Sequence, residues 1–248
     1  MDELTNAFVG RLQEIEAYLE FLEGVESEAR KGPPRLGSEG ALITTQQQRI
    51  LYSGVFLQIY NLVEATVIKC LDSVTEVTLQ AEAWSPGDLS TELRREWVRV
   101  MARTHIDLNY ENRLESALSL CKYFVESLPV TGFKVDNGGG GNWDDSAIEA
   151  ITARLGFQLK VSKQVYEDIK RPVKDELGPL ALVKKLRNSL AHGSISFSEC
   201  GENLTVGELR DLMERTAAYL QEVVNAFNAY IVRHEYLDPT KRPAAVQA

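Results

Sequence analysis

The run Leu182-Val183-Lys184-Lys185-Leu186-Arg187-Asn188-Ser189-Leu190-Ala191-His192-Gly193 carries apolar side chains at three- and four-residue intervals and closes on a glycine. That is the pattern of an amphipathic helix with a C-terminal stop. The helix is expected to begin near Leu177 to Pro179, where proline is tolerated in a first turn, and to end at Gly193. Its last turn and a half holds a permanent cation, Arg187, an amide, Asn188, and a titratable imidazole, His192, a combination suited to phosphate-ester chemistry. On an ideal helix Asn188 and His192 lie about 40° apart and Arg187 and His192 about 140° apart. Arg187 therefore has to reach around the helix, or the helix has to loosen near Gly193. A purely structural role is the competing reading, because cations are favoured beside the open carbonyls of a helix C-terminus.

The same three- and four-residue spacing dominates the rest of the chain, so the fold class is all-α. Downstream, Thr205 and Glu208 have the spacing of a capping box and open a last helix reaching about Arg233; Pro239 onward reads as a disordered tail. Upstream, residues 157 to 176 are ambiguous, with Phe157, Leu159 and Val161 alternating as in a brief strand. A short helix spans Asp144 to Leu155 with Gly156 as its cap. Residues 129 to 143, with the run Gly138 to Gly141, read as a mobile loop, and they lack the Gly-Lys-Ser/Thr ending of a phosphate-binding loop. Further helices are expected over Glu111 to Leu128, residues 89 to 103, and Ala41 to Ala83, with a turn at Trp84 to Asp88. Leu4, Phe8, Leu12, Ile15, Leu19 and Leu22 mark an N-terminal helix over residues 3 to 30, which Lys31-Gly32-Pro33-Pro34 ends. The organisation expected is an N-terminal amphipathic helix (1–31), a helical domain (41–233) and a C-terminal tail (234–248).

With 248 residues, 44% of them hydrophobic and 25% charged, the chain can bury a substantial core. Its longest apolar stretches are read as interrupted by charge before the roughly 18 residues of a membrane span, and the acidic N-terminus does not resemble a signal peptide. Cys70, Cys121 and Cys200 cannot all pair within one chain, which suits a reducing, cytoplasmic compartment and leaves them as packing or surface thiols. The net charge of −9 weighs against a broad grip on nucleic acid. Lys160, Lys163, Lys170, Arg171, Lys174, Lys184, Lys185 and Arg187 nevertheless place eight cations around the Arg-to-His segment. They form either a local basic cleft or a solvated face. His105 and His234 have no neighbours at metal-ligand spacing, so neither metal nor cofactor is expected. Glu64 sits in the apolar long helix, where a carboxylate calls for either exposure or a salt bridge.

Arg187, the polar Asn188 and His192 after four intervening residues, together with Tyr60-Asn61-Leu62-Val63-Glu64-Ala65 and Gly141-Asn142-Trp143-Asp144, make the chain resemble the HEPN superfamily. The resemblance is to its MAE-like branch and covers about residues 41 to 233. It implies an up-and-down helical bundle, here with an additional N-terminal helix and a Gly-rich loop. It also implies a metal-independent endoribonuclease acting as a toxin or defence effector, with a composite active site in a homodimer. Arg187, His192 and Asn188 would then be catalytic, Glu64 and Asn61 would orient the Arg or His, and Lys184 and Lys185 would bind RNA. An antitoxin or other inhibitory protein is an expected partner, and a membrane is not. In one branch of the superfamily a tyrosine two positions after the His is adenylylated; Ser194 stands there in this chain, so that control is not expected. The alternative is a non-catalytic HEPN module that binds RNA or nucleotide or serves as an assembly subunit.

Overall fold

The computed structural model describes residues 3–37, 40–79, 84–104, 106–137 and 141–243. Nine α-helices, no strand and three isolated bridges are present among the described residues, as an all-α chain requires. The helices are α1 (Glu3–Lys31), α2 (Thr45–Leu79), α3 (Thr91–Met101), α4 (Tyr110–Val125), α5 (Asp145–Arg154), α6 (Lys163–Lys170), α7 (Pro179–Ala191), α8 (Phe197–Cys200) and α9 (Val206–Val232). They divide between two compact units.

The first unit comprises Met1–Thr66, Asn142–Asp145 and Val161–Glu222. α1 belongs to it rather than projecting away: Leu4, Phe8, Ile15, Leu19, Leu22 and Val25 are buried. Tyr18 donates to the Leu51 carbonyl of α2 at 2.9 Å, and Arg210 of α9 reaches Glu23 at 2.6 Å. After a polar first turn, α2 becomes largely apolar, with Val55, Phe56, Ile59, Leu62 and Val63 buried, as in a central helix. α7 adds Leu180, Leu182, Val183 and Leu190, and Thr205 opens α9 with the expected capping box, its backbone N–H and hydroxyl both bonded to Glu208.

α6 corrects the strand-like reading of residues 157 to 176. No ladder pairs Phe157, Leu159 or Val161, and the helix forms from Lys163 because α9 holds both of its ends. The Glu222 carboxylate accepts from the Ser162 backbone N–H at 2.5 Å and from its hydroxyl at 2.7 Å. Seven residues earlier on α9, the buried Arg215 donates to the carbonyls of Asp168 and Arg171 at the other end. An eight-residue helix is about 12 Å long and seven residues of α9 rise about 10 Å, so an anion and a cation two turns apart match the two poles of α6. α8 was not foreseen; Ser196 and Glu199 cap it reciprocally.

The second unit comprises Val67–Gly141, Ser146–Lys160 and Val223–Ala248. Glu96 of α3 is 2% exposed and is held by Arg154 at 2.5 Å and Arg99 at 3.1 Å, while Trp97 receives the edges of Tyr123 and Phe124 from α4. Phe157 stacks on Tyr230, whose hydroxyl donates to the Leu155 carbonyl at 3.0 Å. The disordered tail expected from Pro239 is corrected as far as Pro243. Tyr236 and Leu237 are buried, Asp238 caps a 3-10 turn at Pro239–Lys241, and Lys241 pairs with Asp88 at 2.9 Å. The end of the long-helix reading (80–83), His105, the glycines 138 to 140 and residues 244–248 lie outside the described residues.

α2 also corrects the expectation that charge breaks every long apolar stretch. By length and composition it could cross a membrane, yet 56% of its most apolar window is buried inside the protein. It is packed as a core helix. Cys70 and Cys200 are buried, and Cys121 is exposed.

Candidate functional site

α7 ends by a mechanism written into its own sequence. His192 occupies the C-cap, Gly193 adopts φ +68°, the Gly193 N–H bonds to the Leu190 carbonyl at 3.2 Å, and the Ser194 N–H bonds to that of Ser189 at 3.0 Å. This is a Schellman turn, and the left-handed residue it needs is the glycine. Ser194 adds its hydroxyl to the Ser189 carbonyl at 3.1 Å, so the residue standing where another branch carries tyrosine serves as a cap.

The turn leaves His192 exposed at the tip of the helix, its side chain making no hydrogen bond or ion pair among the described residues. Arg187, one and a half turns earlier, is held. Its guanidinium lies 4.5 Å over the Tyr60 ring, 3.7 Å from the Glu64 carboxylate, and donates to the Asn188 side-chain oxygen at 2.9 Å. One third of the Arg187 side chain remains open to solvent. Asn188 in turn donates to Asn142 at 3.1 Å. Beneath them the buried Tyr60 hydroxyl accepts from the Trp143 backbone N–H at 3.3 Å. Burial raises the pKa of that hydroxyl above its usual value, the Trp143 bond partly offsetting this and the nearby Glu64 charge adding to it.

The structure thus gathers Arg187, Asn188 and Glu64, leaves out Asn61 and leaves the imidazole of His192 unengaged among the described residues. Asn61 is not at the site: it accepts from Arg11 of α1 at 2.8 Å. The Asn188 side chain spans Arg187 and Asn142 rather than the imidazole. Tyr60, Asn142 and Asp144 complete the surroundings of Arg187 and Lys184 without having been singled out. The signal for them was present, since all three belong to the two upstream segments that carried the family resemblance.

The basic residues around α7 are compensated. Six of the eight face carboxylates: Lys163 with Glu167, Lys170 with Asp145, Arg171 with Asp168, Lys184 with Asp144, Lys185 with Asp175 and Arg187 with Glu64. The reading as a solvated face describes them better than an open basic cleft. Lys185, by hydrogen bond and charge, holds the Asp175 carboxyl below the usual carboxylate range.

The family model of the MAE_28990-like HEPN proteins matches residues 1–236. The chain therefore belongs to the HEPN superfamily, in its MAE-like branch, and α1 falls within the matched region. No curated protein and no solved structure matches it.

Proposed function

We propose that this HEPN protein is a metal-independent endoribonuclease of the cytoplasm, a toxin or defence effector whose site is completed by a second copy of the chain. One observation carries the reading: an arginine whose guanidinium is oriented by an aromatic ring, a carboxylate and an amide, and whose side chain is yet one-third open, stands just before an unengaged imidazole at a helix tip. Arg187 is placed to bind the non-bridging oxygens of a phosphodiester and to stabilise the charge that grows on them. His192 accepts the proton of the RNA 2′-hydroxyl as that oxygen attacks phosphorus. The second chain's imidazole protonates the departing 5′-oxygen. The products are a 2′,3′-cyclic phosphate and a 5′-hydroxyl, and DNA, lacking the nucleophile, is spared. Two copies of α7 meeting across a two-fold axis would bring each His192 toward the other chain's Arg187. Lys184 and Lys185 would reach RNA by exchanging Asp144 and Asp175 for phosphate oxygens. An inhibitory partner protein would have to cover the same helix tip.

A non-catalytic HEPN module is favoured by the neutralised lysines and the net charge of −9, which weaken any broad hold on RNA. Incubation of the purified protein with RNA in EDTA separates the two. The nuclease reading expects cyclic-phosphate ends that decline by about 10²- to 10⁴-fold in Arg187→Ala and His192→Ala. Cutting that survives both substitutions, or that EDTA abolishes, overturns it. Absence of cutting by the wild type, with RNA bound, selects the module.

A further inference from the structure

α4 has two faces, and the protein uses one of them. Ser116, Leu120 and Tyr123 are half-buried, and no residue of the helix is fully buried. On the opposite side Leu114, Leu118, Cys121 and Val125 are all exposed, Leu118 by 60% and Val125 by 83%. Single exposed apolar residues are ordinary, but four in line on one face mark a contact surface. Their spacing of four, three and four residues is that of the seam in a two-stranded coiled coil. Glu111 occupies the next seam position toward the N-terminus and limits the contact to four layers.

The charges beside the seam say what covers it. Glu115 and Lys122 lie on the same flank, one heptad apart. Glu115 has no ion pair among the described residues, and Lys122 has only a 4.0 Å contact with Glu126. We propose that α4 pairs with α4 of a second copy of this chain, antiparallel, about a two-fold axis between residues 119 and 120. In that register Leu114 packs on Val125 of the second copy and Leu118 on its Cys121, so every layer is filled. Glu115 then meets Lys122 of the second copy, twice by symmetry. A parallel pair would set Glu115 beside Tyr110 and Lys122 beside Ala117, leaving both charges unmatched. The contact is separate from the pairing of α7 proposed above, and either can exist without the other.

Cys121, the exposed thiol, reports on this surface alone. Across the proposed axis the two Cys121 α-carbons would be about 10 Å apart, from one interhelical spacing and an axial offset of three residues. A short bismaleimide should therefore join two wild-type chains covalently. Leu118→Glu should lower the yield at least about tenfold, as a buried charge from each copy disfavours so small a seam, while a monofunctional maleimide labels Cys121 equally in both proteins. Glu115→Lys should also lower the yield, and the double variant Glu115→Lys/Lys122→Glu should restore it. Equal cross-linking of wild type and Leu118→Glu overturns the proposal, as does failure of the double variant to recover. A wild type that stays monomeric and unlinked at about 100 µM, well above what a small but specific interface requires, assigns the stripe to some other protein and overturns self-pairing.

Discussion

α6 and α7 are neighbours in one unit and are made in opposite ways. α7 carries its own stop, a glycine in the left-handed region, and its arginine near that end keeps a third of its side chain free. α6 has no such device; an anion and a cation on α9 hold its two ends, and the Arg215 side chain that does so is 7% exposed. Arg215 gives its donors to two carbonyls and Asp211, whereas Arg187 has one hydrogen bond, a ring face and a looser ion pair. The contrast separates an arginine consumed by the fold from one left available to a ligand. It also explains why a helix with internal signals can bear a site at its tip, where a helix clamped from outside cannot.

The largest effect expected is from Arg215→Met, which strips the carbonyls at the end of α6 of their donors and should cost about 3 kcal/mol in urea unfolding. Arg187→Ala should cost less than about 1 kcal/mol while removing RNA cleavage. Equal destabilisation by the two would break the contrast. Glu222→Ala, which removes the anion at the N-terminus of α6, should cost about 1 kcal/mol and raise hydrogen exchange in residues 163 to 170 before the rest of the unit. If α6 stays as protected as its neighbours, it does not depend on α9. Gly193→Ala forces a side chain into φ +68° and should cost about 1 kcal/mol, fraying the end of α7 and disturbing His192 more than Arg187.

Lys185→Ala should be the mildest change, leaving the melting temperature unaltered at pH 7. Because Asp175 is held below the usual carboxylate range, any help it gives is present above the ordinary carboxylate value and lost as pH falls through the lowered one. A melting difference between wild type and Lys185→Ala that widened toward acid would therefore contradict this assignment. A drop in RNA binding with salt slope reduced by about one would instead mark Lys185 as a phosphate contact.

Part of the candidate site was legible because its chemistry is local. Arg187, Asn188 and His192 share one helix end, and the spacing of their side chains follows from helical geometry alone. Glu64 posed a question in sequence, as a carboxylate in an apolar helix, that only the approach of α7 answered. Asn61, three residues away, pointed to the same site by resemblance and is engaged by Arg11 instead. Sixty degrees around a helix is enough to change which neighbour a side chain meets. The eight cations were visible as a cluster, and Glu167, Asp168 and Asp175 lie in the same stretch, but Asp144, Asp145 and Glu64 come from other segments, so net local charge could not be counted along the chain.

What the sequence by itself determined was the helical class, most helix boundaries, the Thr205 capping box and the Gly193 stop, because periodicity, caps and glycine act within a turn or two. What the tertiary structure alone decided was the existence of α6, the anchoring of the C-terminal segment as far as Pro243, the approach of Arg187 to Tyr60 and Glu64, and the partners of Asn61 and Lys184. Those depend on groups 40 to 60 residues away or more, brought together by burial of apolar faces that many alternative pairings would satisfy equally well on paper.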